Sequence, residues 1–335
     1  MKIGVLGAGT WGIALAELLV GNQHDVTVWS AIPEEIDALA STGIHPNLKE
    51  IKLSNRINYT KSIAALAQNS ELILIVVPSS FVRETTRKIA PYLSDGAILV
   101  TAAKGIEGST LMTMTEIVDD VIKKERHDLK YSVAALSGPT HAEEVAMGIP
   151  TSIVAACDNE EISSMIASAF ANSCMRVYTN SDVKGVEISG AMKNIIALAS
   201  GILTGMKLGD NTRAMLMTRG IAEITRLGLA LGCQSQTFMG LAGIGDLIVT
   251  CTSRHSRNNR CGELIGGGMS YEDASRKIGM VVEGYYALEA AMALSKKYNV
   301  SLPITEAVYR VIHEGLTPHE AMTQLMNRDL KSEFY

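Results

Sequence analysis

The first half of the chain alternates short apolar runs with amphipathic helical patterns. Eight runs rich in β-branched residues predict strands, and several are apolar at every position instead of alternating with polar residues. Strands of that kind are covered by helices on both faces, which indicates a mostly parallel, doubly wound sheet. The predicted strands are residues 3–6, 26–29, 57–59, 72–77, 98–101, 132–136, 152–156 and 176–178.

The helical patterns change in length along the chain. Between the strands they are short, with examples at 13–19, 81–90 and 162–170, and the segment 43–58 has no clear period and is predicted to be a loop. After Tyr178 the strand signals nearly vanish, and Ser181 or Asn180 is the predicted N-cap of the first long helix. The long helical patterns cover residues 182–207, 212–231, 257–265, 285–298 and 305–313.

This change predicts two domains with different architectures. Residues 1–180 are expected to form an α/β domain of the Rossmann type, doubly wound around a parallel sheet. Residues 181–335 are expected to form an all-α domain. A length of 335 residues with 47% hydrophobic and 19% charged residues is enough for two folded cores and argues against disorder.

Charge and cysteine usage exclude several classes of protein. Thirty basic and 35 acidic residues give a net charge of −5 without a block of like charge, which argues against nucleic-acid binding or a polybasic membrane module. Five scattered cysteines without a C-x-x-C pair predict reduced thiols in a cytoplasmic protein, and no metal site. The apolar N-terminus is interrupted by Glu17 and by glycines, so it is interpreted as folded structure and not as a targeting or membrane segment.

A glycine-rich turn follows the first predicted strand. Residues 7–12, Gly-Ala-Gly-Thr-Trp-Gly, match G-x-G-x-x-G and precede a helical pattern. In this motif Gly7 permits the tight turn, Gly9 lets the backbone approach a pyrophosphate, and Gly12 lets helix and strand pack closely. The helix N-terminus adds amide groups and the positive end of the helix dipole. The turn therefore predicts a dinucleotide cofactor; glycines that serve packing alone are the alternative.

The end of the second strand leaves the choice between NAD and NADP open. A carboxylate there grips the bare ribose, and an arginine accepts a 2′-phosphate, but the sequence reads Trp29-Ser30-Ala31. The Ser30 hydroxyl can bond to either group. The sequence therefore predicts that both cofactors work, with a preference below about tenfold.

Two segments place polar groups directly after predicted strands. Lys104 follows the strand at 98–101, at the sheet edge where ligands bind in open α/β folds, and it can hold a substrate oxygen or phosphate. Gly138 and Thr140 follow the strand at 132–136. Their backbone NH groups can face a ligand, or the segment is an ordinary turn from strand to helix.

Lys193 lies on the longest predicted helix, on a face of mostly small residues that leaves room for a ligand. A lysine partly stripped of water there has a lowered pKa and can accept a proton. Taken alone, a solvated lysine on an exposed stripe is the other interpretation. The neighbouring residues on this face are Val186, Ser189, Gly190, Ala197 and Ser200.

Two further polar segments lie in the helical half. Asp246 lies near the end of a glycine-rich segment at 240–247, and Arg257 opens a predicted helix in the sequence Ser256-Arg257-Asn258. An arginine beside the free amides of a helix N-terminus suits a phosphate monoester. A basic surface turn is the alternative.

Taken in order, these motifs resemble the bacterial NAD(P)-dependent glycerol-3-phosphate dehydrogenases over essentially the whole chain. Any one motif can arise by chance, but the ordered set is specific. The motifs that carry the resemblance lie at 7–12, 103–105, 137–140, 190–194, 240–247, 256–258 and 281–284.

The resemblance implies roles for individual residues, with Lys193 as the proton acceptor. The implied substrate contacts are Lys104, Gly138, Thr140, Lys193, Asn194, Asp246, Ser256, Arg257 and Asn258. The implied dinucleotide contacts, with the glycines of the turn, are Gly7, Gly9, Thr10, Trp11, Gly12, Lys104, Ala142, Arg257, Val281 and Glu283.

The resemblance also implies an activity: reversible hydride transfer between NAD(H) or NADP(H) and the pair dihydroxyacetone phosphate and glycerol 3-phosphate, without a metal. It further implies a supply of glycerol 3-phosphate for phospholipid synthesis, and a homodimer is compatible with it. The chain departs from the family at His141, where an aromatic residue is frequent, and at Ser30 and Ala31, where a basic residue is common. The alternatives are a hydroxyacid or ketopantoate-type reductase, whose substrate carries a carboxylate, and a dinucleotide sensor without turnover.

Overall fold

The computed structural model describes residues 1–330, 332 and 333. The first half forms one eight-stranded sheet with the order β3-β2-β1-β4-β5-β6-β7-β8. All neighbouring strands are parallel except β6 and β7. All eight predicted strands are confirmed within a few residues. The strands are β1 (Lys2–Leu6), β2 (Asp25–Trp29), β3 (Asn58–Thr60), β4 (Leu72–Ile75), β5 (Ala97–Thr101), β6 (Tyr131–Ser137), β7 (Thr151–Ala156) and β8 (Met175–Asn180).

Helices cover both faces of this sheet. β4 and β5 are buried at every residue, and their side chains divide between two apolar cores: Leu74 and Val100 pack in one, Ile73 and Leu99 in the other. The fully apolar strands thus have the two-sided burial that their pattern predicts. The helices are α1 (Thr10–Gly21), α2 (Pro33–Thr42), α3 (Ile63–Asn69), α4 (Val82–Ile89), α5 (Met114–Glu125), α6 (Ala142–Ala146) and α7 (Glu160–Phe170).

The second half is helical and is built around one long central helix, α8 (Val183–Gly205). α8 is long and apolar enough to cross a membrane by length and composition, but it lies inside the protein and its residues from Gly185 to Leu203 are buried. The remaining helices are α9 (Asp210–Ala230), α10 (Ser235–Met239), α11 (Asp246–Thr252), α12 (Arg257–Gly266), α13 (Tyr271–Ile278), α14 (Glu283–Tyr298), α15 (Pro303–His313) and α16 (Pro318–Met326). The predicted fold class, a Rossmann-type domain followed by an all-α domain, is confirmed.

The N-cap predicted for α8 is wrong. Asp182, and not Ser181 or Asn180, caps the helix, because its Oδ1 accepts a hydrogen bond from Gly185 N at 3.0 Å. Its other oxygen accepts hydrogen bonds from Gln234 N and from the Thr237 hydroxyl, so the same carboxylate also fixes α10. The predicted domain boundary at residue 180 lies between β8 and this cap, and it stays a prediction. Residues 331, 334 and 335 of the predicted helical domain lie outside the described residues.

Two features fix the orientation of α8. Its Glu187 is buried and accepts hydrogen bonds from the backbone N and the hydroxyl of Thr115 in α5, which ties α8 to the sheet domain. Glycines bring α12 against its other side: a Cβ at Gly262 would lie 2.0 Å from Leu198 O, so only glycine allows this approach. Residues near the middle of α8 are therefore held between the sheet and α12.

Candidate active site

A carboxylate lies between two lysines where the helical domain meets the sheet. Asp246 Oδ1 is 2.5 Å from Lys193 Nζ, and Asp246 Oδ2 is 2.6 Å from Lys104 Nζ. Lys193 also donates a hydrogen bond to the Thr250 hydroxyl at 2.7 Å, and Lys104 donates one to Gly138 O at 3.1 Å. The structure thus joins four of the predicted substrate residues in one cluster.

Each member of the cluster is placed by a different element. Lys193 projects from the buried helix α8, and Lys104 follows β5 at the carboxyl edge of the sheet. Asp246 is the first residue of α11, directly after a π-helical turn at Leu241–Gly245, a rare geometry that recurs at functional sites. The side chain of Lys104 passes over Gly190, where an added Cβ would lie 3.5 Å from Lys104 Cγ.

Burial determines the electrostatics of this cluster. Lys193 is 6% exposed and Asp246 is 1% exposed, which excludes a solvated lysine on a surface stripe. The pKa of Lys193 is lowered to about 8, chiefly by burial; the Asp246 charge and hydrogen bond oppose this lowering, and the Lys104 charge adds to it. Burial acts to raise the pKa of Asp246, but the two lysine charges outweigh it and hold that pKa below its usual range. The expected lowering of the Lys193 pKa is confirmed, and such an amine can exchange a proton near neutral pH.

The glycine-rich turn has the shape that a pyrophosphate needs. Gly7 has φ +124°, a Cβ at Gly12 would lie 2.0 Å from Gly7 O, and a Cβ at Gly9 would meet nothing within 4 Å. In α1, which lies wholly within the described residues, no side chain caps the N-terminus and the first turn holds no acidic residue. These residues fit a dinucleotide, because a pyrophosphate can approach the backbone closely at Gly9, directly before the amides at the start of α1.

A second contact between the domains joins the start of α14 to the segment after β4. Glu283, at the start of α14, accepts hydrogen bonds from the Ser79 hydroxyl at 2.6 Å and from Ser79 N at 3.3 Å. Ser79 follows β4 and packs closely against Gly105. A Cβ on residue 105 would lie 2.5 Å from Ser79 Cβ, so the glycine permits this contact. Burial raises the pKa of Glu283, opposed by the Ser79 hydrogen bonds and the Arg257 charge. The predicted cofactor residue Glu283 thus joins the domains, and the half-buried Val281 lies just before it.

The predicted phosphate segment opens α12. Arg257 is its exposed first residue, and the Ser256 hydroxyl caps the helix by accepting a hydrogen bond from Asn259 N at 3.2 Å. Asn258 is buried and already has two partners: it donates to Asn194 Oδ1 at 3.0 Å and accepts from Gly284 N at 2.9 Å. Asn194 and Asn258 therefore link α8, α12 and α14, whereas Arg257 is exposed at this helix start, as are Arg254 and Arg260 on either side of it.

The remaining predicted residues lie around α6 and at the start of α1. Thr140 donates a hydrogen bond to Gly138 O at 3.3 Å, and Ala142 is the half-buried first residue of α6. Between them, His141 lies with its ring centroid 5.6 Å from that of His255, and its Nε2 is buried without a hydrogen-bond partner among the described residues. Burial and the Lys193 charge lower the pKa of His141. Thr10 and Trp11 form the half-buried start of α1.

Sequence reasoning misses three residues of this region. Thr250 lies one helical turn after Asp246, so the i,i+4 spacing on α11 is the signal that identifies it. Ser79 carries no local signal, because its partner Glu283 is 204 residues away. Glu35 lies in the first turn of α2, where its carboxylate accepts a hydrogen bond from Ser30.

The class of protein follows from where the lysine cluster lies. Lys104 and Gly138 stand at the same sheet edge as the glycine-rich turn, and Lys193 and Asp246 reach that edge from the helical domain. This arrangement defines a two-domain, dinucleotide-binding protein of the dehydrogenase type. Among the described residues, no group of His, Cys, Asp and Glu side chains has the arrangement of a metal site.

Comparisons with known proteins make the class more specific. Residues 2–163 match the family model for the N-terminus of NAD-dependent glycerol-3-phosphate dehydrogenase, and residues 182–323 match the model for its C-terminus. The chain therefore belongs to the NAD(P)-dependent glycerol-3-phosphate dehydrogenase family, as the motifs predict.

Individual relatives are similar to this chain over nearly their full lengths. A glycerol-3-phosphate dehydrogenase [NAD(P)+] of Lactobacillus delbrueckii subsp. bulgaricus is 51% identical over 332 residues, which cover 99% of this chain and 98% of the relative. The crystal structure of glycerol-3-phosphate dehydrogenase from Coxiella burnetii has a TM-score of 0.91 at 34% identity and covers 98% of this chain and 99% of that one. A ketopantoate reductase from Ralstonia eutropha, with a TM-score of 0.62 at 17% identity over 96% of this chain and 100% of its own, shares the fold alone.

Proposed function

We propose that this chain is an NAD(P)-dependent sn-glycerol-3-phosphate dehydrogenase that interconverts dihydroxyacetone phosphate and glycerol 3-phosphate. The observation that carries the proposal is the buried Lys193–Asp246–Lys104 cluster at the carboxyl edge of the sheet. Alcohol oxidation needs a base at the hydroxyl and a hydride acceptor at the carbon, and Lys193 supplies the base.

The proton moves through Lys193 in both directions. In oxidation the neutral amine takes the proton of the C2 hydroxyl while hydride leaves C2; in reduction the ammonium returns the proton to the carbonyl oxygen. A bound nicotinamide supplies the hydride acceptor or donor. Asp246 orients the Lys193 amine at 2.5 Å, and Lys104 adds a positive charge that stabilises the developing alkoxide.

The phosphate of the substrate is proposed to bind at the start of α12. Arg257 is exposed there, and the helix N-terminus adds amides and the positive dipole end. Gly138, Thr140 and the amide of Asn194 are proposed to line the path between this phosphate site and Lys193. Binding energy at the phosphate then accelerates the reaction by fixing C2 beside Lys193.

The dinucleotide is proposed to bind along the glycine-rich turn. The open side of Gly9 receives the pyrophosphate, and Thr10 and Trp11 begin the helix that faces it. Ala142, Val281 and Glu283 are proposed to contact the nicotinamide half, since α6 and the start of α14 flank the cluster.

Substrate specificity tests the proposal. The assay follows the consumption of NADH or NADPH by the purified protein through nicotinamide absorbance. We expect the rate with dihydroxyacetone phosphate to exceed the rate with dihydroxyacetone or 2-keto acids by at least about a hundredfold. A preference for a 2-keto acid would support a ketopantoate-type reductase instead. Cofactor binding without turnover of any of these compounds would support a dinucleotide sensor.

Further parts of the proposal have separate grounds. The change from strand to helix patterns after Tyr178 supports a division into domains at residues 1–180 and 181–335, and the scattered cysteines support a cytoplasmic location. The family resemblance supports a homodimer and a supply of glycerol 3-phosphate for phospholipid synthesis. The five free thiols support a reducing compartment. Equilibrium sedimentation, with a dimer expected, tests the assembly.

A further inference from the structure

A carboxylate lies at the end of β2, where the sequence motif leaves the cofactor choice open. Gly7 N donates a hydrogen bond to Trp29 O at 2.8 Å, so the end of β2 lies directly beside the glycine-rich turn. The next residue, Ser30, is buried, and its hydroxyl donates a hydrogen bond to Glu35 Oε2 at 2.5 Å. Glu35 comes from the first turn of α2, five residues after Ser30, and is exposed.

The only proton of the Ser30 hydroxyl is already donated. The hydroxyl accepts a hydrogen bond from Ile32 N at 3.1 Å and commits its single proton to Glu35. Ser30 therefore has no proton left to donate to a phosphate. A carboxylate offers about four acceptor positions, so Glu35 can still accept hydrogen bonds from ribose hydroxyls.

The loop at 43–57 adds a histidine to this region without adding positive charge. His45 is buried, its Nδ1 accepts a hydrogen bond from Asn47 N at 3.1 Å, and Asn47 donates to the Thr10 hydroxyl at 3.1 Å. Burial lowers the pKa of His45, opposed by the Glu35 charge and by a hydrogen bond to the backbone of Ala8. Burial thus favours the neutral imidazole beside Glu35, and its Nδ1 lone pair is already occupied by the hydrogen bond from Asn47 N.

Lys61 contacts the end of β2 through its backbone. Trp29 Nε1 donates a hydrogen bond to Lys61 O at 3.3 Å, while the exposed Lys61 ammonium forms an ion pair with Asp37 at 2.7 Å. A 2′-phosphate carries close to two negative charges and normally meets an unpaired arginine or lysine. At this strand end it would instead meet the Glu35 carboxylate.

We propose that Glu35, held by Ser30, is the residue that selects NAD(H) over NADP(H) in this chain, by accepting hydrogen bonds from the ribose hydroxyls and repelling a 2′-phosphate. The proposal rests on the proposed dinucleotide-dependent function and specifies its cofactor. It replaces the near-equal use of both cofactors that the sequence of the strand end predicts.

Calorimetric binding of NADH and NADPH to the intact protein, without substrate, tests the proposal, because the two ligands differ only in the 2′-phosphate. We expect NADH to bind at least about tenfold more tightly than NADPH. Glu35→Gln, which keeps the size of the side chain and removes the charge, is expected to reduce this ratio by about tenfold. Glu34→Gln, the same change at the preceding exposed residue, is expected to change it by less than about twofold.

Salt provides a second measurement on the native protein. Repulsion is screened by salt, so raising the ionic strength from about 0.05 M to about 0.5 M is expected to narrow the NADH to NADPH ratio. A basic residue gripping the phosphate would produce the opposite, a loss of NADPH affinity with salt.

The outcomes separate the two proposals. Affinities within about twofold, tighter NADPH binding, or a ratio that Glu35→Gln leaves unchanged would overturn the role of Glu35 and leave the dehydrogenase function standing. Failure of both nucleotides to bind the folded protein would overturn the proposed function itself.

Discussion

Lys193 Nζ and Asp246 Oδ1 lie 2.5 Å apart, and Lys104 holds the other oxygen of the same carboxylate. The cluster carries two positive charges and one negative charge in a place where both Lys193 and Asp246 are almost completely buried. Burial and Lys104 disfavour the Lys193 ammonium, and Asp246 favours it, so the amine is balanced between its two protonation states. This balance is what a group that serves as base in one direction and as acid in the other requires.

The pH dependence is expected to have opposite signs in the two directions. Oxidation needs the neutral amine, so kcat/KM for glycerol 3-phosphate should rise as the pH rises through about 8, the pKa of Lys193. Reduction needs the ammonium, so kcat/KM for dihydroxyacetone phosphate should fall over the same interval. Initial rates in both directions from about pH 6 to about pH 10 measure this. Profiles of the same sign would argue against Lys193 as the shared proton carrier.

Asp246→Asn removes the charge that favours the ammonium. The pKa of Lys193 should fall further, so the midpoint of the oxidation profile should move down by about one pH unit, and kcat should fall about tenfold or more because the amine loses its orienting partner. Asp273→Asn, which removes an exposed ion pair with Arg276, is the matched control and should leave the midpoint of the profile and kcat unchanged. An unshifted midpoint in folded Asp246→Asn would contradict the coupling of the two groups.

Arg257→Ala should weaken phosphate recognition specifically. We expect kcat/KM for dihydroxyacetone phosphate to fall by the equivalent of about 2 kcal/mol, with little change in the slow activity on dihydroxyacetone. Arg276→Ala, an exposed arginine on α13, is the control. Equal losses on the two substrates would show that Arg257 does not bind the phosphate.

Gly262→Ala tests the packing that holds α12 against α8. The added Cβ would lie 2.0 Å from Leu198 O, a backbone atom that cannot move alone, so we expect a loss of about 3 kcal/mol in the free energy of unfolding. Gly21→Ala places the same methyl group in open space at the end of α1 and should be neutral or stabilising by up to about 1 kcal/mol. Urea unfolding of the two variants compares them, and similar midpoints would contradict the proposed tight contact.

The sequence predicts the strands better than the short helices. β4 and β5 are recognised because few structures other than a buried strand accommodate a short, uninterrupted apolar run. The helices α13 and α16 are missed because they bury few residues: Ala274 and Ile278 in the first, and Ala321 in the second. Their positions depend on packing against other helices and not on a strong local pattern.

The candidate site shows the same limit. Lys104, Lys193 and Asp246 can each be selected from local sequence, but their meeting depends on contacts across 142 and 53 residues. The π-helical turn before Asp246 resembles a flexible glycine-rich loop in sequence, so α11 is not predicted. Glu35 is overlooked because the usual motif places the carboxylate on the last residue of the strand. Here the carboxylate belongs to the first turn of α2 and accepts a hydrogen bond from Ser30 at the strand end.

Lys193→Met tests the central claim most directly, because it keeps the length of the side chain and removes the proposed proton carrier. With dihydroxyacetone phosphate and NADH, followed by nicotinamide absorbance, kcat should fall by about two to four orders of magnitude. NADH affinity, measured by calorimetry, should change little, which would show that the fold and the cofactor site survive. Near-native turnover by the folded variant would contradict the account and make Lys193 a structural lysine.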